Sequence, residues 1–197
     1  MRYPPEQKSE THEKILIAAA RSFREHGSDI NGIGKVMKEL GLTKGGFYRH
    51  FESKGDLYAE AFARAFQQMG DWMLAVAKAA PKGQELRAII EAYLSEEHLH
   101  RPGTGCALAA LGPEMSRQSL QVRKRLAQTL LAFGDRLSPY LPGRTPNEKR
   151  GCFCVLFPGM AGVLLTARAI PDPQLQKGML DVARSFYTKS FAAAAGG

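Results

Sequence analysis

The stretch GLTKGGFYRHFESKGDLY, Gly41 to Tyr58, decides how this chain is read. Gly41 follows a segment carrying Ile33, Val36, Met37 and Leu40, the spacing of an amphipathic helix, and a glycine at its end lets the chain turn. Thr43 then offers a capping oxygen to a new helix that opens at Lys44 and is expected to reach His50. That helix carries Gly45 and Gly46, each costing about 1 kcal/mol relative to alanine in a helix interior. It holds only if Phe47 and Phe51 dock on neighbouring helices. Lys44, Tyr48, Arg49 and His50 then form a polar edge free to meet a partner. An amphipathic helix, a turn and a short basic helix are the parts of a helix-turn-helix, which places its second helix in the DNA major groove.

The run TKGGFYRHFESK from Thr43 to Lys54, followed by an apolar helix, resembles the signature of the tetracycline-repressor (TetR) family. The likeness extends from about Lys14 to Phe62 and takes in the apolar pattern of the first helix. It implies an all-α homodimer with an N-terminal three-helix helix-turn-helix domain, residues 1–52. A larger helical effector-binding and dimerisation domain, residues 53–197, follows. The implied partners are double-stranded operator DNA and a small-molecule effector, with no cofactor, metal or catalytic residue. Family positions assign Thr43, Tyr48, His50 and Lys54 to phosphate contacts. Lys44, at the start of the recognition helix, is the expected base reader, since lysine donates to the acceptors of guanine. Gly45 and Gly46 would permit close backbone approach. Members of the family commonly carry Ser or Thr where Gly46 stands, and a polar or basic side chain where Gly34 stands, so two readout groups are missing. Asn31 takes the usual threonine cap position, and Gly55 replaces a frequent glutamate.

Length and composition are compatible with this reading. A chain of 197 residues buries a sizeable core, as one compact domain or as a small domain joined to a larger one. Its formal net charge is +8, yet residues 1–55 hold ten Lys or Arg against seven Asp or Glu, so the N-terminal part is only mildly basic. The placement of charge on the docked edge matters more than its sum. Arg123, Lys124 and Arg125 read as an ordinary solvated helix face. No apolar segment follows the opening Met-Arg-Tyr-Pro-Pro, so a cytoplasmic protein is expected. The longest apolar run, Cys152 to Leu165, is shorter than the roughly 20 residues of a bilayer span and reads as a buried interface helix. Cys106, Cys152 and Cys154 are expected to be reduced.

Along the chain, Tyr3 to Ser9 reads as a mobile arm, and Ile15, Leu16, Ala19 and Phe23 as one face of a first helix ended by Gly27. A second helix is expected over about Gly32 to Leu40. Ser53 and Asp56, at capping spacing, open a long helix that Pro81 to Gly83 closes. One amphipathic helix is expected from Gln84 to about His98, then a break at Arg-Pro-Gly-Thr-Gly and a short element from Cys106. Ser119 to Ser138 is helical. Thr145-Pro146-Asn147-Glu148 and Asp172-Pro173 start two final helices, roughly 146–169 and 173–192.

The apolar side chains Phe66, Met69, Met73, Tyr93, Cys106, Met115 and Phe133 either line an effector pocket or fill a core; stripes at helical spacing serve both. Cys106, near a helix start and with Arg101 close in sequence, has two readings, a thiol activated toward electrophiles and oxidants or a small buried core residue. Glu97, His98 and His100 read as a solvated helix end. For the dimer interface, Val155, Leu156, Met160 and Val163, with Gly159 and Gly162 allowing close approach, are expected to meet Phe186 in a four-helix bundle. Pro158 should kink its helix. The functional reading is a sequence-specific transcriptional regulator, a repressor released from its operator by an apolar or electrophilic effector. A thiol-dependent enzyme using Cys106 with His98 or His100, and a non-specific architectural DNA-binding protein, are the alternatives.

Overall fold

The computed structural model describes residues 5–28 and 30–192, and every regular element in them is helical. Nine α-helices follow one another: α1 Pro5–His26, α2 Ile30–Glu39, α3 Lys54–Ala79, α4 Glu85–Tyr93, α5 Glu96–Leu99, α6 Ala107–Met115, α7 Leu120–Leu137, α8 Pro146–Ala169 and α9 Pro173–Tyr187. Between α2 and α3 lies a 3-10 helix, Lys44–Arg49. The small head formed by α1, α2 and this 3-10 helix rests on α3, which continues into the body and packs against α7 and α4. There α8 packs on α9, and α6 bridges α8 and α1.

Local signals in the sequence set most of these boundaries. Ser53 Oγ accepts from the Asp56 amide at 3.1 Å and opens α3. Thr145 and Glu148 form a reciprocal capping box at α8, and Asp172 accepts from the Gln174 and Leu175 amides at α9. The turn after α2 is a Schellman arrangement. Gly41 adopts φ +67°, and the Leu42 amide reaches the Met37 carbonyl at 2.8 Å.

Several expectations are corrected. The polar segment expected as a mobile arm is helical from Pro5 onward, since proline suits the first turn and Glu10 pairs with Lys14 at 2.7 Å; residues 1–4 lie outside the described part. Asn31 lies inside α2, which already begins at Ile30. The helix expected from Gln84 to His98 breaks at Leu94, because Ser95 caps a new turn by accepting from the His98 amide at 3.1 Å. Pro158 lies in an unbroken α8, on its exposed side. Arg125 is half-buried and donates to Asp56 at 2.6 Å, so it is not a plain solvated residue.

The body core is aromatic. Phe66 meets Phe133 edge-on at 5.2 Å, Phe133 meets Phe157 at 4.9 Å, and Phe153 stacks on Phe157 at 5.4 Å. α7 approaches α8 this closely because Gly134 has no side chain: a Cβ there would lie 2.8 Å from the Phe153 ring. Gly134→Ala should therefore destabilise the fold by about 1–3 kcal/mol in urea unfolding, whereas Gly178→Ala, in open space on α9, should be neutral or stabilising by up to about 1 kcal/mol.

Candidate nucleic-acid interface and effector core

The edge at residues 43–50 is built from a short helix pinned on its inner side. Phe47 and Phe51 are both buried and stack on each other at 5.5 Å. With these two rings locked in the head, Tyr48 is turned outward and is 70% exposed, and Arg49 is exposed beside it. The segment expected as an α-helix is 3-10 over Lys44–Arg49, with Thr43 Oγ1 accepting from the Gly46 amide at 3.2 Å. A tighter wind fits a six-residue segment with two glycines, since 3-10 geometry is used in short pieces. Thr43 keeps its hydroxyl proton for an outside acceptor. Lys44 is the first residue of the 3-10 helix, and Lys54 the first residue of α3.

Neither glycine is needed to avoid a clash within the protein. Gly45 faces open space, and a Cβ on Gly46 would make ordinary contacts with Thr43 and Met37, at 3.6 and 3.7 Å. His50 is half-buried beside His12 and Phe51, with Nδ1 enclosed and without a protein partner. Burial, then the charges of His12, Lys8 and Arg49, hold its pKa below the ordinary histidine value, so it is a neutral ring at pH 7.

The head is tied to the body by groups that no local motif announced. Arg24, in α1 and only 5% exposed, donates from Nε to the Ala20 carbonyl at 2.9 Å. Its Nη1 donates to the Gly105 carbonyl at 3.1 Å and its Nη2 to Gln68 Oε1 on α3 at 3.2 Å. The Ser28 amide donates to Glu114 Oε2 of α6 at 3.1 Å. Arg24 lies four residues after Ala20 and directly after Phe23 in the apolar stripe, the available clue that a charge enters the interior.

In the body, Phe66, Met69, Met73, Tyr93, Cys106 and Phe133 are all buried, and Met115 is half-buried. Of this expected set, Met73 lines a small apolar cavity of about 10 Å³ with Leu86, Ile89, Phe157 and Met160. That cavity shares Leu86, Tyr140 and Leu141 with an open cleft of about 710 Å³ between the start of α4, the segment that follows α7 and the start of α8, bordered by Gly83, Glu85, Arg144 and Glu148. These wall residues were missed because they come from loops such as Pro139–Arg144, where helical periodicity gives no signal.

Cys106 caps α6, its sulfur accepting from the Ala109 amide at 3.4 Å, and is 0% exposed. Burial pushes the thiol pKa up, outweighing the Tyr93 hydroxyl, the helix amides and the Arg168 charge. Of the two readings of Cys106, its burial favours the core residue. Arg101, expected beside it, pairs instead with Glu97 at the surface, at 2.8 Å. His98 is buried, contrary to the solvated helix end, while Glu97 and His100 face solvent, so the three residues do not converge. His98 Nδ1 donates to the Tyr93 carbonyl at 2.6 Å, and Nε2 accepts from the Cys106 amide at 3.0 Å. A carbonyl only accepts and an amide only donates, which fixes the neutral tautomer protonated on Nδ1. The Nε2 lone pair is spent on a backbone amide, so no thiol–imidazole nucleophile pair exists between these residues.

On α8, Leu156 and Met160 are buried in the subunit's own core, and a Cβ on Gly159 would meet the Tyr187 hydroxyl of α9, so these three serve packing within the chain. Val163 is half-buried. Val155 and Gly162 are exposed, as are Leu165, Val182 and Phe186. By length and composition α8 would suffice to cross a membrane, but Phe153, Phe157 and Leu164 bury one face of it in the core.

A three-helix head with an exposed polar edge, joined by one long helix to a helical body, defines a helix-turn-helix protein. Residues 15–61 match the sequence model of the family described as bacterial regulatory proteins, tetR family. Among curated relatives, the HTH-type transcriptional regulator AcrR of Shigella flexneri is 32% identical over 66 residues, 34% of this chain and 31% of that protein. The HTH-type transcriptional repressor BepR of Brucella suis biovar 1 is 33% identical over 78 residues, 40% of this chain and 37% of that protein. The matched region thus spans about a third of the length of these relatives. Among solved structures, a TetR transcriptional regulator from Chloroflexus aurantiacus aligns with a TM-score of 0.66 at 21% identity, covering 93% of this chain and 96% of that one. Reduced NemR of E. coli aligns with a TM-score of 0.67 at 19% identity, covering 89% and 96%. The solved structures show the same fold across head and body. Over residues 15–61 the chain is similar to the tetR family of bacterial regulatory proteins, and it shares the fold of these solved structures.

His98 also makes stability depend on pH. Burial, with Arg168 and Arg24 nearby, lowers its pKa to about 4 from the ordinary 6.5. Between those values the unfolded chain takes up a proton that the folded chain refuses. Stability contributed by the neutral ring is complete above pH 6.5 and falls as pH drops toward 4, by about 3 kcal/mol in all. Urea midpoints across this window should show that slope in the native chain, and a much shallower one in His98→Gln.

Proposed function

We propose that this chain is a sequence-specific DNA-binding transcriptional regulator that works as a homodimer and represses until a small effector releases it. The observation that carries the reading is the edge at residues 43–50, with Phe47 and Phe51 locked inward and Tyr48 and Arg49 turned out. Thr43, Tyr48 and Lys54 supply donors to phosphate oxygens, which fix register on the duplex. Lys44 reads base edges in the major groove. His50, a neutral ring, contributes a hydrogen bond rather than a full charge. The glycines at 45 and 46 keep the edge low, so that backbone approaches the duplex.

The dimer uses the exposed side of α8 and α9, with Val155, Gly162, Leu165, Val182 and Phe186 as its apolar contacts. This patch lies on two adjacent antiparallel-connected helices and gives a two-fold pairing four helices to bury. The effector is an apolar or amphipathic molecule entering at the cleft bordered by Leu86, Tyr140 and Leu141, which leads toward the closed core. It acts by population shift: it binds best when α3 is displaced and the two heads no longer match one operator. An effector that bound the free and the operator-bound dimer with equal affinity would contradict this mechanism.

Binding to the duplex flanking the protein's own gene should be tight, and binding to a scrambled duplex weak and strongly salt-dependent. Equal affinity for both, followed by failure to select any preferred site, overturns sequence-specific regulation. Lys54→Ala should weaken binding to every duplex and lower the salt slope by about 1 per subunit. Phe186→Glu together with Val182→Glu should give a folded monomer by sedimentation, with operator affinity reduced by at least about tenfold because the second head is lost.

A further inference from the structure

The polar groups gathered around Gly105 and Cys106 are unusual for a helical core. Arg24 and Arg168 both point into this region, and neither pairs with a carboxylate among the described residues. Glu25 is the acidic group that acts on Arg24, but it makes no ion pair with it, and its side chain is 37% exposed. Every partner the two guanidiniums have is neutral. Arg24 uses its three nitrogens on Ala20, Gly105 and Gln68, while Arg168 donates to the Leu99 carbonyl at 3.0 Å and to the His98 carbonyl at 2.9 Å. Arg168 Nη1 is enclosed and has no protein partner. The hydroxyl of Tyr93, a residue 0% exposed, lies against the Cys106 sulfur and likewise lacks a hydrogen bond of good geometry.

Close packing brings these groups together. A Cβ on Gly105 would lie 2.9 Å from Arg168 Nη2 and 2.9 Å from His98 Nε2, so glycine is what admits the guanidinium beside the imidazole. His98 cannot supply the missing acceptor, since its Nε2 already accepts from the Cys106 amide. One buried and one half-buried cation, two unspent donors and no paired carboxylate are an incomplete arrangement, because buried charge is ordinarily paired.

We infer that the body binds a small carboxylate at Arg168 Nη1 and the Tyr93 hydroxyl, beside Cys106, the anion completing the charge of the Arg24–Arg168 cluster. One carboxylate oxygen accepts from both free donors, and a planar guanidinium is well suited to such an anion. The site is closed to anything bulky by Phe157, which packs on Tyr93 at 5.8 Å, and by His98, which packs on it at 4.7 Å, so the ligand is short-chained. The assignment does not depend on DNA recognition.

Trp72, the single tryptophan of the chain, lies 5.4 Å from the His98 ring and reports on the site. Full-length protein titrated with sodium acetate or sodium formate against sodium chloride at constant ionic strength and pH 7.5 should show a saturable fluorescence change. The expected dissociation constant is on the order of millimolar. Tyr93→Phe, which removes one hydroxyl, and Arg168→Met should each weaken binding at least about tenfold. A response that does not saturate, or one that saturates equally in Tyr93→Phe, overturns the assignment and leaves the two donors to water. If Arg168→Met does not fold, Tyr93→Phe alone decides.

Discussion

The Arg24 guanidinium is the constraint on which the arrangement of head and body depends. It leaves α1, crosses into the interior and satisfies the carbonyl of Gly105, the amide side chain of Gln68 and its own helix at Ala20. Its bonds are therefore distributed over the head, the long α3 helix and the loop that opens α6. Burial, opposed by Cys106 and Glu25, lowers its pKa to about 10, so it remains charged at neutral pH and strongly demands those acceptors. Moving α1 relative to the Gly105 loop would strand a buried cation. The Ser28–Glu114 contact adds a second tie between the end of α1 and α6. Head and body share one continuous apolar core, and these few directional bonds add a fixed orientation to it.

The same loop carries the Cys106 cap, the His98 acceptor and the Arg168 donors. Anything that changes the charge or packing around Gly105 acts on the group that holds α1. This connects the chemistry of the body to the orientation of the edge at residues 43–50 without requiring a ligand to touch the head. A buried, neutral Cys106 is positioned as part of that support, not as a reactive thiol.

Much of the fold was legible because its boundaries are local. Thr43, Ser53, Thr145 and Asp172 each accept from amides two or three residues ahead, and such spacing is visible in the sequence. Ser95 carried the same signal before Glu96-Glu97-His98, and the continuing apolar stripe of α4 masked it. The inward turn of Phe47 and Phe51 could be inferred from the weakness of a short glycine-containing helix. What stayed hidden depends on tertiary partners. Leu156, Met160 and Gly159 look the same in sequence whether they pack on their own subunit or on another, and the structure assigns them to the former. Arg24 and Arg168 are far from their partners along the chain, and no spacing rule pairs them with Gly105 or Leu99.

Selection from a pool of random-sequence duplexes, using the full-length protein at physiological salt, tests the central claim most directly. The account predicts enrichment of a two-fold symmetric motif whose half-sites lie about one helical turn apart, roughly 34 Å, as two symmetry-related recognition segments require. Enrichment of no motif, or of a lone asymmetric half-site bound by a single subunit, would contradict it.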